Sequence, residues 1–177
     1  MSELTIRKCT LDDVNIVGAF YDEVVKYLDD TNTNYPKWMY KEYPSTDSTK
    51  ENILANSQYV AIQDGKICAG FVLNTNPGGA YEKGNWQINL NEGEYMVIHG
   101  LAVHHTLAGQ GIGTQIINYC KQYAKNNGYK SLRIDVVPDN YPAINLYKKC
   151  GFVDAGEYDL ERGLEHIPTF TLLEYVL

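Results

Sequence analysis

The run Gly109-Gln110-Gly111-Ile112-Gly113 is the stretch of this chain whose composition most directly suggests chemistry. Glycines that lead from a strand end straight into a helix leave backbone N–H groups free at the positive end of that helix. That arrangement suits a phosphate or pyrophosphate. Two nucleotide motifs fail here. A P-loop needs Gly-Lys followed by Ser or Thr, but Gly113 is followed by Thr114 and Gln115; a dinucleotide fingerprint needs glycine where Ile116 stands. ATP and NAD are therefore disfavoured. Taken alone, the loop reads equally well as a tight turn that holds nothing.

Other reactive side chains are scattered. Cys9, Cys68, Cys120 and Cys150 form no Cys-x-x-Cys, and the histidines include one adjacent pair, His104-His105, which reads as exposed loop. Neither a disulfide framework nor a metal site is expected. Acids outnumber bases by 22 to 15, for a net charge of −7, and no basic run tracks phosphates, so nucleic acid is excluded as a partner. No stretch approaches the roughly 18 apolar residues that a membrane span needs. Residues 1–5 lack the pattern of a signal peptide, so a cytoplasmic protein is expected, with no membrane partner. Tyrosine is abundant, 15 against 4 Phe and 2 Trp, and each hydroxyl wants a partner or water. A length of 177 residues with 44% hydrophobic content fits one domain, residues 1–177, with a real core.

The elements that must position the glycine loop follow from periodicity. Leu4 to Lys8 alternates as a first strand, and Thr10-Leu11-Asp12-Asp13 is a capping box for a helix running to about Leu28 on an apolar stripe from Val14 through Val25. Ser48-Thr49-Lys50-Glu51 reads as a second box opening a short helix. Gln58–Gln63 and Lys66–Leu73 are strands joined by Asp64-Gly65, a strong hairpin signal. Residues 74–93 form a long polar stretch, read as a functional flap or as disorder. Glu94 to Val103 is strand-like, and Gly100 inside it suggests a bulge or a close backbone approach. The helix after the glycine loop closes at Asn127-Gly128; a strand (131–137), a helix (142–150) and two closing strands (152–158, 169–176) follow. The alternation argues a mixed α/β sheet flanked by helices.

Around the loop the chain reads Leu101-Ala102-Val103, then Ala108-Gly109-Gln110-Gly111-Ile112-Gly113, then Asn140, Ala143, Asn145, Tyr147 and Gly151-Phe152. This resembles the GNAT superfamily of acyl-CoA N-acyltransferases, whose pattern is L-x-V, R/Q-x-x-G-x-G/A and N-x-x-A-x-x-L-Y-x-x-x-G-F. The resemblance is close over about residues 95–153 and departs at Ala108, where that family usually carries Arg or Gln. It implies a GNAT fold of six to seven strands with acetyl-CoA in the gap between the fourth and fifth. It also implies contacts to the cofactor from Gly109, Gln110, Gly111, Ile112, Gly113 and Thr114 at the pyrophosphate, from Leu101, Ala102 and Val103 along the pantetheine arm, and from Asn140, Asn145 and Tyr147 on the other side.

An amine nucleophile with a pKa near 10.4 must lose a proton, at a cost of about 4–5 kcal/mol at pH 7. The resemblance gives Tyr147 the role of protonating the departing thiolate. For the base, strand parity puts His99 on the face of Val97, Leu101 and Val103, and its unperturbed pKa of about 6.5 suits the work. Glu94 at the strand's start and Asp135 on the neighbouring strand come next. The acceptor side falls to segments the family leaves variable: Asp29 and Asp30 after the first helix, the aromatic residues Tyr35, Tyr40 and Tyr43, Tyr81 in the 74–93 stretch, and the last hairpin around His166. An acidic, aromatic-walled pocket for a small cationic amine, a metabolite or antibiotic, is the expectation. A protein lysine or N-terminal acetyltransferase and a non-catalytic CoA-binding regulatory module stay open as alternatives, and the closing strands offer a homodimer contact.

Overall fold

The computed structural model describes residues 2–177. Among them the elements run β1 (Thr5–Lys8), α1 (Val14–Asp30), α2 (Thr46–Leu54), β2 (Gln58–Gln63), β3 (Lys66–Asn74), β4 (Tyr95–Val103), α3 (Ile112–Asn126), β5 (Ser131–Val136), α4 (Tyr141–Lys149), β6 (Val153–Tyr158) and β7 (Phe170–Val176). The strands form a seven-stranded mixed sheet in the order β1-β2-β3-β4-β5-β7-β6. β4 and β5 pair in parallel over Tyr95–Val97 and Ser131–Arg133, while β1 with β2, β2 with β3, β5 with β7 and β6 with β7 are antiparallel.

Local chemistry sets most boundaries. Asp13 closes the entry to α1: its carboxylate accepts the Thr10 N–H at 2.7 Å and both Arg7 Nη groups at 2.8 and 2.9 Å. Bonding to Arg7 holds the Asp13 carboxyl down at about 2. The second capping box is Ser45 with Ser48, three residues before the expected position, and α2 starts at Thr46 accordingly. Asp64 and Gly65, at φ +52° and +71°, make the two-residue hairpin turn. α3 ends as expected at Gly128, φ +80°, with Gly128 and Tyr129 donating back to Lys125 and Ala124.

The chain forms two compact units. The first takes the residues up to Asn34, Trp38–Leu73 and His99–Ile116. Its core sets Val17, Phe20, Tyr21 and Val24 of α1 on Val60, Ala102 and Ile53. The second takes Tyr35–Lys37, Asn74–Ile98 and Ile117–Leu177, with a core of Tyr81, Tyr95, Val97, Val137, Leu160, Phe170 and Leu172.

Two guanidinium groups, Arg133 buried and Arg162 half-buried, organise this second unit. Arg133 on β5 donates to Glu174 on β7 (3.1 Å) and to the Ile88 carbonyl (2.8 Å), with the rings of Trp86 and Tyr95 each 4.2 Å from its carbon. Glu174, with no exposed surface, also accepts the Gln87 N–H at 2.7 Å. Arg162 forks onto Asp135 (2.7 and 2.8 Å) and donates to the carbonyls of Gly78 and Pro77. Of the two readings of the 74–93 stretch, disorder does not hold. It carries a short 3-10 turn, Tyr81–Lys83, and is fastened to the β6–β7 hairpin at Ala80–Leu160, Lys83–Asp159 and Asn85–Ala155.

Removing one partner of a buried ion pair strands the other charge in a place that water does not reach. Glu174→Ala should lower the unfolding free energy by about 3–5 kcal/mol, measured by urea denaturation. A loss below about 1 kcal/mol would class the pair with exposed ones.

Candidate functional site

In the first unit the regular course of β4 breaks at Gly100, whose φ of +56° is a conformation that favours glycine. Tyr21 of α1 fixes that break: its hydroxyl donates to the Gly100 carbonyl at 2.8 Å and accepts from Gln58 Nε2 at 3.3 Å. Tyr21 is 2% exposed, burial pushes its phenol pKa up, and Trp38 packs edge-on against its ring. The two-residue alternation that placed His99 on one face with Leu101 and Val103 does not run through a residue in this conformation. His99 is half-buried ahead of the break; Leu101 and Val103 are half-buried beyond it, with Ala102 turned into the core.

After β4 the chain makes a short 3-10 turn, His105–Leu107, and enters the glycine loop. Gly109 and Gly111 stand at φ +76° and +80°, and a Cβ built on either meets nothing within 4 Å. The Gln115 N–H donates to the Gly111 carbonyl at 3.1 Å. The N–H groups of Gly111, Ile112, Gly113 and Thr114 lie ahead of that rung, where a helix supplies no partner. Gln110 and Thr114 are exposed; Ile112 buries its side chain (4% exposed) and has only backbone to offer. The first unit thus brings together the loop and the end of β4.

In the second unit Asn140 caps α4, its side chain accepting the Ala143 N–H at a long 3.4 Å, and Pro142 follows in the first turn. Asn145 is exposed and lines an open groove with Pro142, Leu146, Lys148 and Lys149. Tyr147 is 7% exposed and edge-on to Phe152, and burial raises its phenol pKa, so it keeps its proton at neutral pH.

Several expected residues are otherwise engaged. Glu94 accepts the Asn91 N–H at 2.7 Å in an exposed turn, and the nine residues of β4 lie between it and the glycine loop. Asp135 is taken up by Arg162 and by the Tyr81 hydroxyl at 2.6 Å, so neither it nor Tyr81 lines an open acceptor pocket. Tyr81 is 2% exposed, and burial first, then Asp135, pushes its phenol pKa well up. Asp29 accepts from Asn34 and Asp30 pairs with Lys26. Tyr35, Tyr40 and Tyr43 are exposed. His104 and His105, read as exposed loop, are half-buried: the first bonds to Glu23 and the second stacks on Tyr27. Sequence reasoning missed Tyr21, Arg162 and Glu23, whose partners lie far along the chain.

Residues 21–152 match the family model described as Acetyltransferase (GNAT) family. The streptothricin acetyltransferase of Escherichia coli is 32% identical over 73 residues, 41% of this chain and 42% of that protein. The thialysine N-epsilon-acetyltransferase of Mus musculus is 37% identical over 65 residues, 37% of this chain and 38% of that protein. The matched stretch spans less than half the length of the curated relatives. A solved GNAT-family acetyltransferase of Streptococcus agalactiae superposes with a TM-score of 0.78 at 16% identity, over 98% of this chain and 95% of that one, a likeness of fold.

Tyr21→Phe deletes the hydroxyl that holds Gly100 and leaves a part-buried carbonyl short of a partner, while Gln58 Nε2 keeps the Phe71 and Tyr59 carbonyls. Stability should fall by about 1–3 kcal/mol, read by chemical denaturation; an unchanged midpoint would show that the break in β4 holds itself.

Proposed function

The chain belongs to the acetyltransferase (GNAT) family, and from that premise we propose that it moves an acetyl group from acetyl-CoA to the primary amine of a small cationic molecule by direct attack. The observation that carries this reading is the pair of left-handed glycines, Gly109 and Gly111, with open space over both, next to the first N–H groups of α3, for which the helix itself supplies no partner. A diphosphate fits a cradle of this kind, because no Cβ intrudes and the helix end is positive. Alanine at position 108 removes a side chain, not one of those donors.

Acetyl-CoA, when bound, supplies an activated acetyl thioester and a thiolate as leaving group. Gly109 to Thr114 would hold its diphosphate through backbone N–H groups, and the backbone of Leu101 to Val103 would pair with the pantetheine arm as an added strand. Asn140 and Asn145 are assigned to the same arm, whose amide groups suit their side-chain donors and acceptors. Tyr147 Oη is the proton donor in this reading, kept protonated by its burial. His99, half-buried near the end of β4, is the assigned base in this reading. No cysteine nucleophile is invoked: Cys120 has no exposed surface, and burial pushes its thiol pKa up.

For the acceptor, the two relatives above are named for discrete compounds, streptothricin and thialysine, and not for a protein. The excess of acid over base in the chain favours a cation among such compounds. Tyr35 and Tyr40 are the exposed aromatics offered to it. A cytoplasmic location accords with four free cysteines.

Calorimetry with acetyl-CoA, joined to a thiol-release assay across polyamines, amino acids, amine antibiotics and lysine peptides, tests the proposal. Release with a small amine supports it, release with peptides alone gives the protein-directed reading, and tight binding without release gives a binding module. Tyr147→Phe should cut kcat about 100-fold, within the range for a lost general acid, while the Kd for acetyl-CoA stays within twofold. An unchanged kcat would remove Tyr147 from the chemistry.

A further inference from the structure

Resting on the proposal that residues 109–114 hold the cofactor diphosphate, we infer that His104 is a positioning residue for that loop, oriented by Glu23 of α1. Through this pair the first helix sets the affinity for acetyl-CoA. The loop has little else to brace it. A Cβ built on Gly109 or Gly111 meets nothing within 4 Å, so its course is set where the chain enters it and where α3 begins.

His104 stands at that entrance, the first residue beyond β4. Its backbone N–H donates to the Cys68 carbonyl of β3 at 2.8 Å, and its own carbonyl accepts the Leu107 N–H at 2.9 Å. The ring works in two directions. Nδ1 accepts the Thr106 N–H at 3.3 Å, with Thr106 Oγ1 at 2.7 Å. A backbone N–H can only donate, so Nδ1 is bare and the ring proton sits on Nε2. Nε2 donates it to Glu23 Oε1 at 2.9 Å. One imidazole thus ties the turn before the glycine loop to a helix position 81 residues earlier.

An ordinary surface ion pair would account for the contact with Glu23 but not for the second bond, from the turn's backbone to Nδ1. The ring is also sheltered, 19% exposed against 59% for Glu23. Phe20 packs at 6.4 Å from it, and the next residue, His105, stacks on Tyr27 at 3.9 Å, so α1 holds the turn at two further points. Beyond the turn the backbone bonds are long: Ala108 to His105 at 3.3 Å and Gln110 to Leu107 at 3.4 Å. The firm ties are therefore those of His104. A diphosphate binds best to N–H groups already in place, because a loop ordered on binding subtracts that cost from the affinity.

Calorimetry of the full chain with acetyl-CoA tests the role. His104→Ala should raise the Kd about fivefold, the worth of one hydrogen bond. His104→Asn, whose Oδ1 can accept the Thr106 N–H in the same way, should recover most of that loss. Glu23→Ala, at an exposed position that folding tolerates, should raise the Kd about threefold and barely move the thermal midpoint, while Glu23→Gln, which keeps the acceptor oxygen, binds as the wild type does. A purely structural role would move midpoints and leave the Kd alone. Either alanine variant binding as tightly as the wild type overturns the inference, as does His104→Asn binding no better than His104→Ala. A wild type that binds no acetyl-CoA overturns the proposed function as well, which separates the two failures.

Discussion

The first unit depends on the hydrogen bond from the Tyr21 hydroxyl to the Gly100 carbonyl. A strand that stays regular keeps its backbone groups occupied by its neighbours and its side chains alternating to the end. At Gly100, φ +56°, that regularity stops. The left-handed region costs a residue with a Cβ about 1–2 kcal/mol, so glycine is the side chain of least cost, and Tyr21 gives the redirected carbonyl a partner. The partner is itself fixed: Tyr21 sits in the α1 stripe between Phe20 and Val24, with Gln58 behind and Trp38 on its edge. The orientation of Leu101 to Val103, and of the loop that follows, descends from a helix position 79 residues earlier.

The second unit solves a different problem, fastening an irregular stretch without helix or strand. Long connections carry backbone groups that need partners wherever they are buried. Arg162 supplies donors to Gly78 and Pro77 while its charge is met by Asp135, and Glu174 accepts the Gln87 N–H while meeting Arg133. Each ion pair therefore has two functions: its charges neutralise each other, and the surplus hydrogen-bonding capacity satisfies the loop. A neutral hydrophobic replacement would restore packing and leave those loop groups unpaired.

What was legible in the sequence divides along this line. The Thr10–Asp13 box, the Asp64-Gly65 turn, the Gly128 stop and the glycine loop are contacts between residues at most five apart, and their residue types name them. The same locality explains the misplaced box at α2: Ser48 with Glu51 fits the common pattern better than Ser45 with Ser48, yet the hydrogen bonds choose the latter. The fastening of residues 74–93 was not legible, because its partners lie 45 to 87 positions away. In the first unit, the glycine loop could be named from the chain alone, and Gly109 and Gly111 do take the left-handed conformation that its residue types suggest. The alternation used for His99 failed at a residue already marked as irregular, which shows that parity may not be carried across a glycine with positive φ.

The acidic character of the chain also changes meaning once its acids are placed. Asp13 serves Arg7, Asp30 serves Lys26, Asp135 serves Arg162 and Glu174 serves Arg133, while Asp29 accepts from Asn34. Five of the 22 acids are thus committed to named partners, and the two pairs with least exposure, Glu174 with Arg133 and Asp135 with Arg162, belong to the fold of the second unit. Net charge measures what is left after pairing, and it acts at long range on approach and solubility more than on any one contact. For the amine proposed above, an exposed ring such as Tyr35 can attract a cation through its π-system without having to be ionised itself, whereas the Tyr40 ring already has Lys41 over it.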